Sequence, residues 1–161
     1  MKLRIITTGG TIDKVYFDAL STYQIGDPQV VTVLKGANID FEYELEAACQ
    51  KDSLELTDAD RADIRRRVAA APERCILITH GTDTMTETAK WLADIPEKVI
   101  VFTGAMQPAR FGASDAVFNI GCAIGAVQIA PSGIYIAMNG RMHAANTVRK
   151  NRALGRFEII A

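Results

Sequence analysis

Short apolar runs alternate with segments of helical period along this chain. Leu3 to Thr7 reads as a strand, Cys75-Ile76-Leu77-Ile78-Thr79 and Val99-Ile100-Val101-Phe102-Thr103 as buried strands, and Gly133 to Met138 as the last clear strand. Phe41 to Glu46 alternates weakly and predicts one more. Between them fall four helices. The first opens at Asp27-Pro28, with Asp as N-cap and Pro at the first helical position, and runs to about Lys35 before Gly36. Thr57-Asp58-Ala59-Asp60 is a capping box with Asp in place of Glu and opens a helix to about Ala71. Asp83 to about Ala93 is stopped before Pro96, and the small-residue helix from Ser114 to about Ile129 is stopped by Pro131. Ile12 to Gly26 mixes polar, small and aromatic residues without helical period and reads as a loop. Strands alternating with helices predict an α/β fold, with a largely parallel sheet covered on both faces.

Open parallel sheets bind ligands beyond the carboxyl ends of their strands. Five polar or Gly-rich segments follow the predicted strands: Thr8-Gly9-Gly10-Thr11-Ile12, Lys51-Asp52-Ser53, His80-Gly81-Thr82-Asp83-Thr84, Gly104-Ala105-Met106, and a stretch holding Lys150 and Asn151. Their convergence on one rim carries more weight than any one of them.

Composition narrows the classes. At 161 residues the chain fits one domain, and 48% hydrophobic against 23% charged residues marks a globular protein. Eighteen basic and 19 acidic residues leave a net charge of −1, which gives no support for nucleic acid or an acidic membrane as partner. No apolar run is long enough to span a bilayer, and Met1 to Ile6 lacks the apolar block of a signal peptide, so a cytoplasmic location is expected. Cys49, Cys75 and Cys122 form no CxxC pair, and His80 and His143 have no ligand-spaced companions, so neither a disulfide framework nor a metal site is indicated. Cys75 and Cys122 lie in apolar runs and read as small core residues.

Each rim segment has a plain reading and a chemical one. The glycines of Thr8 to Thr11 allow a sharp turn and a close approach to a ligand. Thr11 is then a solvated turn residue or a nucleophile awaiting a base. A phosphate cradle is also open, although neither GxGxxG nor GxxxxGK[ST] is present. Thr82-Asp83 is a helix N-cap with an acid favoured by the dipole, or a helix start whose free amides receive a carboxylate or an oxyanion. Asp52-Ser53 alone is a turn, and Lys150, within Arg149-Lys150-Asn151-Arg152, is alone a surface lysine.

Taken together, Thr7-Thr8-Gly9-Gly10-Thr11-Ile12, His80-Gly81-Thr82-Asp83-Thr84-Met85, Thr103-Gly104-Ala105-Met106 and Lys150 resemble the bacterial-type L-asparaginase (asparaginase/glutaminase) family, in family order and over nearly the whole chain. The resemblance implies a three-layer Rossmann/flavodoxin-like sheet with helices on both faces. It implies Thr11 as nucleophile, Tyr23 as the flanking tyrosine, Thr82 and Asp83 as the second threonine and its acid, and Lys150 as the active-site lysine. Asp52 and Ser53 match the segment holding the substrate's amino and carboxylate groups, Gly10 and Gly81 line the same pocket, and Ala105 would lie near the departing amide. Family members of ordinary length carry a second, smaller C-terminal domain, which in a neighbouring subunit supplies an acid to the site. The expectation here is residues 1–161 as one domain without it, like the short single-domain asparaginases.

The expected chemistry is acyl transfer. Thr11 attacks the side-chain amide of asparagine, ammonia leaves, and water hydrolyses the ester, with backbone amides near Thr11 and Thr82 facing the oxyanion. This scheme calls for no metal or organic cofactor. A homo-oligomer, dimer or tetramer, is expected from the face such a lone domain would leave uncovered. The alternatives are a non-catalytic amino-acid-binding module and an amidase subunit that supplies ammonia to a partner amidotransferase.

Overall fold

The computed structural model describes residues 1–17 and 22–160. Its centre is a six-stranded sheet built from β1 (Lys2–Gly9), β4 (Glu42–Lys51), β5 (Cys75–Thr79), β6 (Val99–Thr103), β7 (Gly133–Met138) and β8 (Arg141–Ala144), in the order β4-β1-β5-β6-β7-β8. All neighbours are parallel except β7 and β8. The five parallel strands thus run second-first-third-fourth-fifth along the chain, the doubly wound order of flavodoxin-like sheets.

Alternation along these strands sends side chains to opposite faces. Ile6, Ile76, Ile78, Ile100, Phe102 and Ile136 pack with Ile64 and Val68 of α2 (Asp58–Ala70) and Met85 and Ala89 of α3 (Met85–Lys90). Leu3, Ile5, Leu77, Val99 and Val101 pack with Val30 and Leu34 of α1 (Gln29–Gly36) and Ala116, Ile120, Ala123 and Val127 of α4 (Ala116–Ile129). The fold is therefore three layers, helix on sheet on helix, as the periodicity predicted. No helix among the described residues is long and apolar enough to cross a membrane.

Several expectations need correction. The weak alternation at Phe41 to Glu46 marks only the first half of β4, an edge strand that continues to Lys51 along β1. Helix α1 starts at Gln29 with Pro28 as N-cap, and its first amide is taken by the Asp13 carboxylate instead of Asp27. Helix α3 begins at Met85, two residues later than expected, because Thr82 to Thr84 are drawn into bonds with other loops. The segment expected as a loop from Ile12 to Gly26 holds two strands, β2 (Lys14–Phe17) and β3 (Thr22–Ile25), which pair antiparallel as a hairpin, while residues 18–21 of it lie outside the described residues. A second hairpin, β9 (Val148–Asn151) with β10 (Arg156–Ile159), follows the sheet and was not expected at all. Cys75 and Cys122 are half-buried instead of core, since Cys75 opens its strand at the sheet's lower end and Cys122 lies on the flank of α4.

Candidate active site

The order of strands reverses at β1, whose carboxyl end lies beside those of β4 and β5, and the crevice at such a switch is where open sheets bind ligands. Gly9 and Gly10 follow with φ of 90° and 88°, a region nearly closed to other residues. A Cβ on Gly10 would stand 2.5 Å from the Gly81 Cα, and one on Gly81 would stand 2.6 Å from Ser53 Cβ and Oγ. The loops after β1, β4 and β5 thus touch where the chain has no side chains to hold them apart. Half-buried Thr11 leaves this contact in a single 3-10 turn, Thr11–Asp13.

Each loop is fixed from behind. Lys51, at the end of β4, pairs with Asp60 at 2.8 Å, and Asp60 also completes the α2 capping box with Thr57. The Lys51 bond, then the Thr57 amide, hold the Asp60 carboxyl down to about 2. This ties the Asp52-Ser53 turn to a helix start. Ser53 is buried, and its carbonyl accepts the Thr84 hydroxyl at 2.8 Å. His80 is fully buried, with Nδ1 2.7 Å from the Gly81 carbonyl and Nε2 2.8 Å from Thr88 Oγ1. A carbonyl only accepts, so Nδ1 carries the proton and Nε2 accepts from Thr88. Burial pushes the His80 pKa down to about 4 despite the Gly81 bond, so the ring is neutral at pH 7 and works as a brace for the turn.

The loop after β6 is clamped by α4. The Asp115 carboxylate accepts the Met106 amide at 3.0 Å and the Gln107 amide at 3.2 Å, while Asn119 Nδ2 donates to the Gly104 carbonyl at 3.1 Å. A Cβ on Gly104 would lie 2.3 Å from the His80 carbonyl oxygen. Ala105 is buried in the same cluster as Ile12, beneath the rim.

Lys150 arrives from β9. Its Nζ donates to Thr82 Oγ1 at 2.6 Å and to Asp83 Oδ1 at 2.9 Å. Arg152 Nε stands 3.2 Å from the same Asp83 oxygen. The hairpin that presents Lys150 is anchored by Phe157, its partner in register, which is buried in the core and whose amide donates to Asn139 Oδ1 at 3.0 Å. Asn139 itself turns the chain after β7 at φ 55°.

The opposite wall is the β2–β3 hairpin. Lys14 Nζ lies 2.8 Å from Asp52 Oδ2, whose other oxygen accepts the Leu54 amide at 3.2 Å. Burial raises the Asp52 carboxyl, but the Lys14 bond, the Leu54 amide and the charges of Lys14 and Lys150 outweigh it and bring the pKa below the ordinary value. Tyr23 is 51% exposed and packs its ring 5.5 Å from Tyr16 and 6.2 Å from Phe111, centroid to centroid.

Of the residues the sequence singled out, Thr82, Asp83 and Lys150 are in direct hydrogen-bond contact, and Gly10, Gly81 and Ser53 touch. Asp52 is engaged by Lys14, Thr11 precedes the hairpin, Tyr23 lies within it, and Ala105 lies underneath. Lys14, Arg152, Asp13, Asp115 and Asn119 were missed. Asp115 and Asn119 have the four-residue spacing of helix neighbours, which could have flagged that pair. Arg152 lies in the turn after β9.

The chain matches the family model "Asparaginase, N-terminal" over residues 2–158. It belongs to the asparaginase family. Among asparaginases, that of Thermococcus kodakarensis is 32% identical over an alignment of 165 positions that covers 96% of this chain and 49% of that protein. The structure of the thermostable L-asparaginase from Thermococcus kodakarensis superimposes with a TM-score of 0.87 at 29% identity, covering 99% of this chain and 51% of that one. A probable cytoplasmic L-asparaginase from Campylobacter jejuni gives 0.82 at 27% identity, covering 98% and 52%. The chain therefore spans about half the length of these asparaginases.

Proposed function

We propose that this chain is an amidohydrolase that converts L-asparagine to L-aspartate and ammonia through an acyl ester on Thr11. The observation that carries this reading is the Lys150–Thr82–Asp83 cluster, which stands on the rim formed by the Gly10–Gly81–Ser53 contact. In the first step the Thr11 hydroxyl oxygen bonds to the amide carbon and the C–N bond breaks. The hydroxyl proton ends on the departing nitrogen, which leaves as ammonia. Water then cleaves the ester and restores the hydroxyl. Backbone amides near Thr11 and Thr82 face the oxyanion.

The remaining roles follow from charge and reach. Asp83 Oδ1 is occupied by Lys150 and Arg152, so its other oxygen receives the substrate's α-ammonium. Ser53, between Asp52 and the Gly81 backbone, receives the α-carboxylate. Asp52 acts chiefly through Lys14, and Tyr23 flanks Thr11 from the hairpin. The Ala105 segment borders the departing amide through its backbone, because the side chain is buried. Lys150 holds Thr82 and Asp83 in place and has the reach to move a proton through the Thr82 hydroxyl.

We place the protein in the cytoplasm, as the name of the Campylobacter jejuni relative suggests for that protein. We also infer a homo-oligomer. α4 carries no charged residue, and Val117 and Phe118 on its outer side are each 61% exposed and Ile129 85%. A sedimentation experiment that finds only monomer at micromolar concentration overturns that inference.

The activity is tested by ammonia release from asparagine and from glutamine with the wild type and Thr11→Ala in parallel. Turnover of asparagine by the wild type alone supports the reading. Equal turnover by both proteins removes Thr11 as nucleophile, and release from neither amide removes the reaction.

A further inference from the structure

The turn that carries Thr11 ends on a carboxyl group in an unusual position. Asp13 is only 2% exposed, and its neighbours Ile12 and Val30 belong to the cluster under α1 and α4. Three separate pieces of the site converge on it. Its carboxylate oxygen Oδ1 accepts the amide of Gln29, the first residue of α1, at 2.8 Å. Its carbonyl accepts the amide of Gly26, at the exit of β3, at 2.8 Å. Its own amide donates to the Gly10 carbonyl at 3.2 Å. One residue away, the Ile12 carbonyl accepts the Ala109 amide at 3.1 Å, which links the same turn to the loop after β6.

We propose that Asp13 is the positioning residue of the nucleophile turn, the joint through which α1, the β2–β3 hairpin and the glycine loop hold Thr11 at the rim. The proposal rests on the reading of Thr11 as nucleophile. Helix α1 leaves its first amides without intrahelical partners, and the Asp13 carboxylate supplies an acceptor from a segment outside the helix. The positive end of the helix dipole favours an anion there. The same residue is covalently two positions from Thr11, so a shift of α1 or of the hairpin exit reaches the Thr11 hydroxyl through one turn of backbone. Reactions that depend on an oriented nucleophile lose about a hundredfold for a misplacement near one ångström. Burial pushes the Asp13 carboxyl up to about 7, opposed by the Gln29 bond. With Asp13 buried, an acceptor lost from this position is not replaced by bulk water.

The test compares Asp13→Ala, Asp13→Asn and Asp13→Ser with Val68→Ala, a buried packing change in the last turn of α2, on the other face of the sheet. Steady-state ammonia release is measured beside thermal melting. Asp13→Ala and Asp13→Ser are expected to lower kcat at least about tenfold with KM moving less than about threefold, because Ser53, Gly81 and Asp83 stand on other loops. Asp13→Asn keeps an oxygen acceptor for Gln29 and is expected to restore kcat to within about threefold of wild type. Val68→Ala is expected to lower the melting temperature while keeping kcat. A kcat for Asp13→Ser within about threefold of wild type, with Thr11→Ala inactive, overturns the proposal, as does an equal kcat loss in Val68→Ala. If Asp13→Ala does not fold, the Ser and Asn variants decide. If the wild type releases no ammonia at all, the Thr11 reading fails by itself. Asp13 is then judged by amide exchange, where lost protection confined to residues 11–17 and 22–29 supports the joint and a uniform rise overturns it.

Discussion

The site stands between two hairpins of similar size and different construction. The β9–β10 hairpin, which delivers Lys150, drives Phe157 into the core and is clasped by the Asn139 side chain. Among the described residues, the β2–β3 hairpin, which follows Thr11 and carries Tyr23, puts nothing comparable into the core: Tyr16, Phe17 and Tyr23 are all exposed. It is held instead by the Lys14–Asp52 pair, an edge contact between Tyr16 and Tyr23, and the Asp13 joint. Buried apolar area is stabilising at roughly 25 cal/mol per Å², whereas a partly exposed ion pair contributes less than about 1 kcal/mol. One wall is thus fixed and the other is cheap to move. The proposed reaction, which must admit an amino acid and then exclude water, would use such a difference, the less anchored wall being the one that follows Thr11.

The sharpest change to this contrast removes the chemistry and spares both walls. Thr11→Ala is expected to lower turnover at least about a thousandfold, the scale seen when a nucleophile is lost, with an unchanged melting curve. Phe157→Ala breaks the fixed wall. Its cost is expected at about 3 to 5 kcal/mol, as for other buried phenylalanines, and turnover should fall with it because Lys150 loses its seat; denaturant unfolding beside kinetics checks both. Lys150→Met leaves the wall standing and removes one ammonium. A loss in kcat of at least about tenfold is expected, with a smaller change in KM. Arg149→Met should be silent in the same assay. Arg152→Met, which removes the second cation on Asp83, should fall between them. Lys14→Met loosens the moving wall, and KM for asparagine is expected to rise about two- to fivefold with stability changed by about 0.5 kcal/mol.

A separate effect is one of pH. Asp60, held down to about 2, contributes stability that is present above its ordinary 3.8 and lost as pH falls through 2. Asp13 has the opposite sign, because its folded-state value is about 7 against an ordinary 3.8. Its contribution is complete below 3.8 and is lost as pH rises through 7. Wild-type stability is therefore expected to decline between pH 4 and 7, and Asp13→Asn should flatten that limb in urea unfolding at each pH.

Much of the frame was legible in the chain. β5, β6 and β7 have the limits expected of them because strands buried on both faces are written as unbroken apolar runs. The Thr57–Asp60 box marked the start of α2 because a capping box is a local bond between near neighbours. Both hairpins escaped for the converse reason. Their strands have four residues each, and exposed Tyr16, Phe17, Tyr23 and Ile159 blur the alternation of inside and outside. The late start of α3 was set by Ser53 and Lys150, distant residues that local propensity does not contain. The site divides along the same line. Thr82, Asp83, Lys150 and the glycines were visible through a motif. Lys14, Asp13 and Arg152 acquire partners only through the register of the two hairpins.

Amide hydrogen exchange with and without aspartate tests the contrast most directly. Aspartate, the product of the proposed reaction, is expected to bind the rim and to raise protection of residues 14–17 and 22–25 at least about tenfold, while residues 148–151 and 156–159 stay within about twofold, since local opening follows how much of a segment is anchored in the core. Equal change in both hairpins, or protection of β2–β3 that is already complete without ligand, would contradict the account.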